Sequence, residues 1–176
     1  MGFYNSPLFS VSLKRSYYNI RTDFNQWYCS PNGRAKLIGE INEMEKFPFD
    51  VFLQQNTNGD ISYLTVIRMS GVEHDVLLTY DYDHPDFEMK AKVLRPMLDM
   101  NRMRGHYYGT NELCYLHDWS RKYRAIHVAM QVTFWMSDYY KGPYCSGFSD
   151  SGFIRDNSSF LDRMQSRISN YYGRRY

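Results

Sequence analysis

The chain has 176 residues, of which 43% are hydrophobic and 23% charged, which suits one globular domain with a sizeable core and excludes disorder along its whole length. The formal net charge of +2 is small, so the field of the whole molecule gives no reason to expect a nucleic acid or an anionic membrane as a partner. No apolar run approaches the roughly 18–20 residues that cross a bilayer.

The first thirty residues show no sustained hydrophobic period, and we interpret residues 1–30 as an N-terminal extension that packs onto the domain. The turn sequence at 30–33 offers a helix N-cap and a proline that the first helical turn tolerates. Apolar residues then recur at helical spacing, which predicts a short amphipathic helix over about 34–46. Pro48 ends this run.

The next fifty or so residues change to a two-residue period, which is typical of half-buried strands. A turn rich in Asn, Gly and Asp at 56–60 lies between two alternating runs and predicts a β-hairpin. A third strand over 76–82 and a fourth over 87–93 follow, and Lys90 and Lys92 alternate with apolar residues on the fourth. Sequential strands with short connections predict an antiparallel meander with one packed and one wet face.

A long irregular stretch over 97–122 comes next and contains Cys114. Loops of this length more often serve function or motion than connection alone. A helix that is apolar on most sides is predicted over about 121–141, and such a helix is normally buried. The pattern predicts an α+β fold with an N-terminal helix, a four-stranded antiparallel meander, a long loop, a central helix and a C-terminal helix. The last helix and its basic tail occupy 154–176, which leaves 31–153 as the main domain.

Cysteine usage indicates a reducing compartment. Cys29, Cys114 and Cys145 cannot all pair within one chain, and the N-terminus lacks the pattern of a signal peptide, which together predict a cytoplasmic protein. Cys114 is the candidate nucleophile, because part of a thiol is ionised near neutral pH and sulfur is intrinsically nucleophilic. The sequence has no CxxC pair and no close Cys/His cluster, so neither a zinc site nor any other cofactor is predicted.

The order of the predicted elements and the segment around Cys114 resemble the ubiquitin-conjugating enzyme family. That family places a His-Pro-Asn tripeptide before its catalytic cysteine, an apolar residue and a leucine beside it, and a tryptophan shortly after it. Here His106 lies eight residues before Cys114, the sequence around the cysteine reads Leu-Cys-Tyr-Leu, and Trp119 follows. The resemblance covers roughly residues 34–145 and implies the ubiquitin-conjugating-enzyme-like fold.

The same resemblance implies that Cys114 carries an acyl group as a thioester and passes it to an amine, usually a lysine, or to another acceptor. In place of the family's Pro and Asn the chain has Tyr107 and Tyr108, so the usual support for the oxyanion is missing from its place. His106, Tyr108 and Asn111 become the candidates for supporting the oxyanion or the loop.

Other residues of this region take their candidate roles from the resemblance as well. His117 and Asp118 are candidates for activating the acceptor, with a solvated pair of loop residues as the simpler interpretation. Trp119 is interpreted as a packing residue beneath the loop. Cys145 follows the central helix, in a region that lies towards the active site in this family, and is a candidate regulatory thiol.

Divergence of this kind is similar to the bacterial branch of the family, which occurs in antiphage operons. There, such a protein joins the C-terminus of a cGAS-like nucleotidyltransferase, or of a ubiquitin-like protein, to a target. The resemblance implies one of these two proteins as the donor and a separate adenylating enzyme as a further partner, and it leaves a homodimer open. Neither a membrane nor a nucleic acid is expected as a partner.

Three alternative functions stay open. A catalytically silent interaction module on the same fold would also account for the altered tripeptide. A nucleic-acid binder would use tyrosines for stacking and the arginines of the tail for phosphates, although the small net charge disfavours it. A cysteine hydrolase would need His106, His117 or His127 to reach Cys114, and no local hydrolase signature accompanies the cysteine.

Overall fold

The computed structural model describes residues 17–99, 107–108, 111–115 and 119–141, with the backbone alone at 107–108, 138 and 141. Within this part the chain has an α+β fold, as the sequence predicts, in which one antiparallel sheet packs against α-helices. In chain order the elements are a short 3₁₀ helix (Trp27–Cys29), α1 (Pro31–Met44), β1 (Asp50–Gln55), β2 (Ile61–Met69), β3 (Val72–Thr79), β4 (Lys90–Arg95), β5 (Tyr107–Tyr108), β6 (Glu112–Leu113) and α2 (Ala125–Lys141).

Helix α1 begins where its capping chemistry starts, three residues before the predicted boundary. The Ser30 hydroxyl accepts a hydrogen bond of 3.0 Å from the Gly33 amide, and Pro31 occupies the first turn, where its missing N–H has no intrahelical partner to lose. Gly33 is required for a close approach, because a Cβ at this position would lie 1.9 Å from the Trp27 carbonyl oxygen. The 3₁₀ helix and α1 are therefore packed backbone to backbone.

The described end of the N-terminal extension packs onto the domain. Tyr28 is almost fully buried, and its hydroxyl donates a hydrogen bond of 2.6 Å to the Gly59 carbonyl in the β1–β2 turn. Gln55 at the end of β1 exchanges hydrogen bonds with the Arg21 backbone in both directions. Tyr28 thus belongs to the same core as the sheet.

The sheet has the strand order β1-β2-β3-β4-β6-β5, and every neighbouring pair is antiparallel. The predicted hairpin is present, and its turn contains Gly59 with a φ of +92°, a conformation that glycine adopts without strain. Strands β1 to β4 pair in chain order, and β6 then pairs with β4 through Lys92 and Glu112.

The predicted bounds of two strands and of the central helix were wrong. Strand β3 begins at Val72 rather than at residue 76, β4 ends at Arg95 rather than at residue 93, and α2 begins at Ala125 rather than near residue 121. Strand β3 ends at Thr79 rather than at residue 82, and β4 begins at Lys90, so Tyr82 and Phe87 lie outside the sheet and are 49% and 57% exposed. The reason is local turn chemistry between them. The Asp81 side chain accepts the Asp83 amide, and the Asp83 carbonyl accepts the Asp86 amide at 2.7 Å. Such Asp-based turns compete with a strand ladder.

The core lies between the sheet and α2. Side chains on the inner face of β2, β3 and β4 are buried, whereas Lys90 and Lys92 on the other face of β4 are exposed. Helix α2 packs against α1, β2 and β3, and nearly all of its described side chains are buried, as an all-round apolar helix requires. None of the helices that the structure describes combines the length and the apolar character needed to span a membrane.

Gly33→Ala is expected to lower the free energy of unfolding by about 1–3 kcal/mol, because the added Cβ would overlap the Trp27 carbonyl. The matched control is Gly39→Ala in the same helix, where nothing lies within 4 Å of the added Cβ. That control should gain up to about 1 kcal/mol from helix propensity. Chemical denaturation of both variants beside the parent measures the two effects, and equal effects would contradict the close approach.

Candidate active site

Cys114 is held between two buried anchors. It follows β6 directly, and its neighbours Leu113 and Tyr115 are each 2% exposed, whereas Cys114 itself is half-buried. The Tyr115 hydroxyl donates a hydrogen bond to the carbonyl of Met89, just before β4. Because the residues on both sides point into the core, the backbone at the cysteine is fixed while part of its side chain stays accessible.

The hairpin before Cys114 depends on Asn111. This residue has a φ of +62°, the left-handed conformation that asparagine tolerates better than most residues, and its carbonyl accepts a 3.1 Å hydrogen bond from the Val93 amide. Its side chain is buried, and the amide nitrogen donates to the sulfur of Met97. The structure therefore gives Asn111 a role as a turn residue whose amide nitrogen is engaged by Met97. Its predicted support of an oxyanion stays a prediction.

The chain after the cysteine is attached to the loop between β3 and β4, residues 80–89, which we call the β3–β4 loop. The Trp119 indole nitrogen donates a 2.7 Å hydrogen bond to the Pro85 carbonyl, and Arg121 forms a 2.6 Å ion pair with Asp86. The Trp119 ring also packs edge-on against Tyr123, with 5.3 Å between ring centroids. Trp119 is thus a packing residue, as the sequence predicts, and it also makes a specific backbone contact.

One loop therefore holds the chain that follows Cys114 at two points. Tyr115 reaches the end of the β3–β4 loop at Met89, and Trp119 reaches its middle at Pro85. We call the described residues from Cys114 to the start of α2, 114–115 and 119–124, the cysteine segment. The position of this segment depends on where the β3–β4 loop lies.

The β3–β4 loop is itself attached to a buried carboxylate on α1. Glu40 is 1% exposed; its Oε2 atom accepts hydrogen bonds from the Tyr80 hydroxyl at 2.6 Å and from the Ala125 amide at 3.0 Å. Its Oε1 atom lies 3.1 Å from Nε2 of His84, whose side chain is fully buried. Burial alone would raise the pKa of Glu40, but His84, the Tyr80 hydroxyl and the Ala125 amide outweigh burial and lower it. Glu40 is therefore an ionised carboxylate in the core.

His127 has a structural role at the start of α2. Its Nδ1 atom accepts a 3.0 Å hydrogen bond from the Arg124 amide, so the neutral ring carries its proton on Nε2. Burial and the nearby Arg124 charge lower the pKa of His127 to about 4. This use of the ring at the helix start gives no support to His127 as the base of a cysteine hydrolase.

The structure describes only part of the predicted site. Cys114 and Asn111 are described with their side chains, and Tyr108 with its backbone alone, paired with Glu112 in the β5–β6 hairpin. His106, His117, Asp118 and Cys145 lie outside the described residues, so their candidate roles stay predictions.

Glu40 is a functional candidate that the sequence patterns above did not predict, although a signal was present. Leu37, Ile41 and Met44 form the buried face of α1, and Glu40 falls at i+3 from the first of them, on the same face. A carboxylate on the apolar face of a helix requires buried donors. The sequence does not show which residues supply them, because Tyr80, His84 and Ala125 are 40, 44 and 85 residues away.

In the described part of the chain, no group of three or more His, Cys, Asp or Glu side chains is placed to hold a metal ion. Cys29 and Cys114 are both thiols, and both are half-buried. Comparison with known protein families and with curated proteins finds no match.

Lowering the pH from 7 to 4.5 is expected to remove about 2 kcal/mol of stability through His127 alone. Its folded pKa lies below its unfolded value near 6.5, so the stabilisation is complete above pH 6.5 and is lost as the pH falls towards 4. Urea unfolding of the parent and of His127→Gln at both pH values measures it. The variant should lose less stability than the parent, and an equal loss would contradict a neutral His127.

Proposed function

We propose that this chain is a ubiquitin-conjugating-like acyl carrier that holds the C-terminus of a protein as a thioester on Cys114. The observation that carries the proposal is the half-buried thiol of Cys114, fixed between Leu113 and Tyr115 at the end of a short hairpin. A carrier needs this combination, because the sulfur must reach a large donor while the thioester is kept from water.

The order of elements supports the same proposal at the level of the fold. Helix α1, four strands paired in chain order, a proline, the cysteine segment, a tryptophan and a buried helix follow one another as in the ubiquitin-conjugating enzyme family. A fold can host several functions, so the fold supports the proposal only together with the cysteine.

The proposed reaction has two steps on this chain, which follow activation of the donor by a separate adenylating enzyme. That enzyme converts the donor's C-terminal carboxyl to an acyl adenylate with ATP, and pyrophosphate leaves. The Cys114 thiolate attacks the acyl carbon, a carbon–sulfur bond forms, and AMP leaves. An amine of the acceptor then attacks the thioester carbonyl, the carbon–sulfur bond breaks, and the amine loses a proton while the sulfur leaves as thiolate. No metal or nucleotide is needed on this chain for the second step.

The second step needs hydrogen-bond donors at the developing oxyanion and a group that takes the proton of the amine. His106, Tyr108 and Asn111 are the candidate donors, and His117 and Asp118 the candidate acceptor-activating pair. We propose as the donor protein either a cGAS-like nucleotidyltransferase or a ubiquitin-like protein, in a cytoplasmic antiphage pathway of bacteria.

A silent interaction module is the second candidate function, and one observation favours it. The Asn111 amide nitrogen is occupied by Met97, and tyrosines stand where the ubiquitin-conjugating family has Pro and Asn. A protein of this class would keep the fold and its partner surface without transferring an acyl group. In that case Cys114→Ala would leave partner binding unchanged.

Co-expression with the genes that adjoin its own, followed by intact-protein mass measurement without reductant, tests the carrier. We expect an added mass equal to a neighbour's chain less one water. The adduct should be thiol-labile on the parent protein, thiol-resistant but hydroxylamine-labile on Cys114→Ser, and absent on Cys114→Ala. Cys29→Ser, which changes the other described thiol, is the matched control and should keep the adduct.

The absence of any adduct on all forms, with the neighbours soluble and the adenylating enzyme present, would contradict the carrier. It would favour the interaction module instead.

A further inference from the structure

We infer that Glu40 is a positioning residue for Cys114, acting through the β3–β4 loop rather than by touching the reacting atoms. The inference rests on the proposed function, because it explains how the thiol of an acyl carrier is held at one place. Its starting point is a buried carboxylate that the proposed chemistry itself does not use.

The β3–β4 loop is attached to Glu40 at two points. Tyr80 begins the β3–β4 loop and His84 lies in its middle, and each is bonded to a different oxygen of the same carboxylate. Both side chains are buried. Ten residues with no strand structure of their own are thus held at two points by one side chain of α1.

The cysteine segment is attached in turn to that loop. The carbonyl acceptors of Pro85 and Met89 lie one and five residues after His84, and they take the hydrogen bonds of Trp119 and Tyr115. Tyr115 is the residue next to the cysteine. A shift of the loop would therefore move the chain that follows the thiol, beginning at the adjacent residue.

Glu40 also bonds to the helix that follows the cysteine segment. The second donor to Oε2 of Glu40 is the amide of Ala125, the first residue of α2. An ionised carboxylate is stabilised at a helix N-terminus by the helix dipole and by an amide that has no intrahelical acceptor. Glu40 thus also fixes the point at which the cysteine segment ends, and Arg124 pairs with Glu43 beside it.

An aromatic cluster completes the arrangement around His84. The rings of Tyr80, Trp27 and Trp119 lie 4.7, 4.9 and 6.3 Å from the His84 ring, measured between centroids. The imidazole is therefore enclosed, and its position is set by Glu40 on one edge and by rings around it. Trp119 belongs to this cluster through its ring and to the loop through its indole nitrogen.

The test is the alkylation rate of Cys114 by iodoacetamide, measured by intact mass in a Cys29→Ser, Cys145→Ser background where it is the one remaining thiol. In Glu40→Ala the rate should rise about fivefold. This rise corresponds to a loss of about 1 kcal/mol from the free energy that keeps the β3–β4 loop in its position. The half-buried thiol then becomes more accessible.

The conservative variant separates positioning from general stability. In Glu40→Gln the amide oxygen can accept from Tyr80 and Ala125, and the amide nitrogen can donate to a His84 ring protonated on Nδ1. Its alkylation rate should therefore stay near that of the parent. Ile67→Ala, which removes a fully buried side chain of β2, is the control for lost stability and should leave the rate unchanged below its unfolding temperature.

Two further variants keep the test decisive if Glu40→Ala does not fold. Tyr80→Phe removes one donor to Glu40, and Trp119→Phe removes the donor to Pro85, while both keep an aromatic ring. Each should raise the alkylation rate. Unchanged rates in folded Glu40→Ala, Tyr80→Phe and Trp119→Phe, or an equal rise in Ile67→Ala, would overturn the inference.

The alkylation rate does not depend on any donor protein, so it separates the two proposals. An unchanged rate in the variants, together with a thioester on the parent, would contradict the positioning role of Glu40 and support the acyl-carrier function. A faster rate without any thioester would support the role of Glu40 and remove the carrier.

Discussion

The fold depends on one ionised carboxylate buried where α1, the β3–β4 loop and α2 meet. Taking a carboxylate out of water costs several kcal/mol, and Glu40 offsets this cost because three donors reach its two oxygens. Apolar side chains can often replace such a group without loss of stability, so stability alone does not explain it. The geometry of its contacts explains it, because this single side chain fixes the positions of α1, the β3–β4 loop and α2 relative to one another.

The contacts of Glu40 explain why the cysteine segment has a fixed position although it has little regular secondary structure. Strand β6 has only two residues, and its pairing with β4 rests on Lys92 and Glu112, which is little support for the chain that follows. The missing support comes from side chains that reach carbonyls of the β3–β4 loop. Backbone carbonyls that can still accept a hydrogen bond are common in turns. A loop made of turns can therefore accept hydrogen bonds from side chains more readily than a strand can.

Periodicity predicted the regular elements because their cause is local. Helix α1, the β1–β2 hairpin and the buried helix α2 each carry a hydrophobic period and a capping or turn signal within a few residues. The boundaries near Tyr82 and Phe87 were predicted wrongly because two causes compete there. Alternating apolar residues favour a strand, whereas the aspartates between them satisfy the backbone in turns, and the turns prevail.

At the candidate site, local sequence signals predict the roles of residues less well than they predict helices and strands. Asn111 attracts attention because it lies three residues before Cys114, yet its backbone forms the turn and its amide nitrogen bonds to Met97. Glu40 lies seventy-four residues before the cysteine, so its position in the sequence does not connect it with the site. Nearness along the chain does not say where a side chain points, whereas a charge on the apolar face of a helix requires partners wherever they are. Groups that control a loop thiol are therefore better sought among buried polar residues of neighbouring helices than among the nearest residues of the loop.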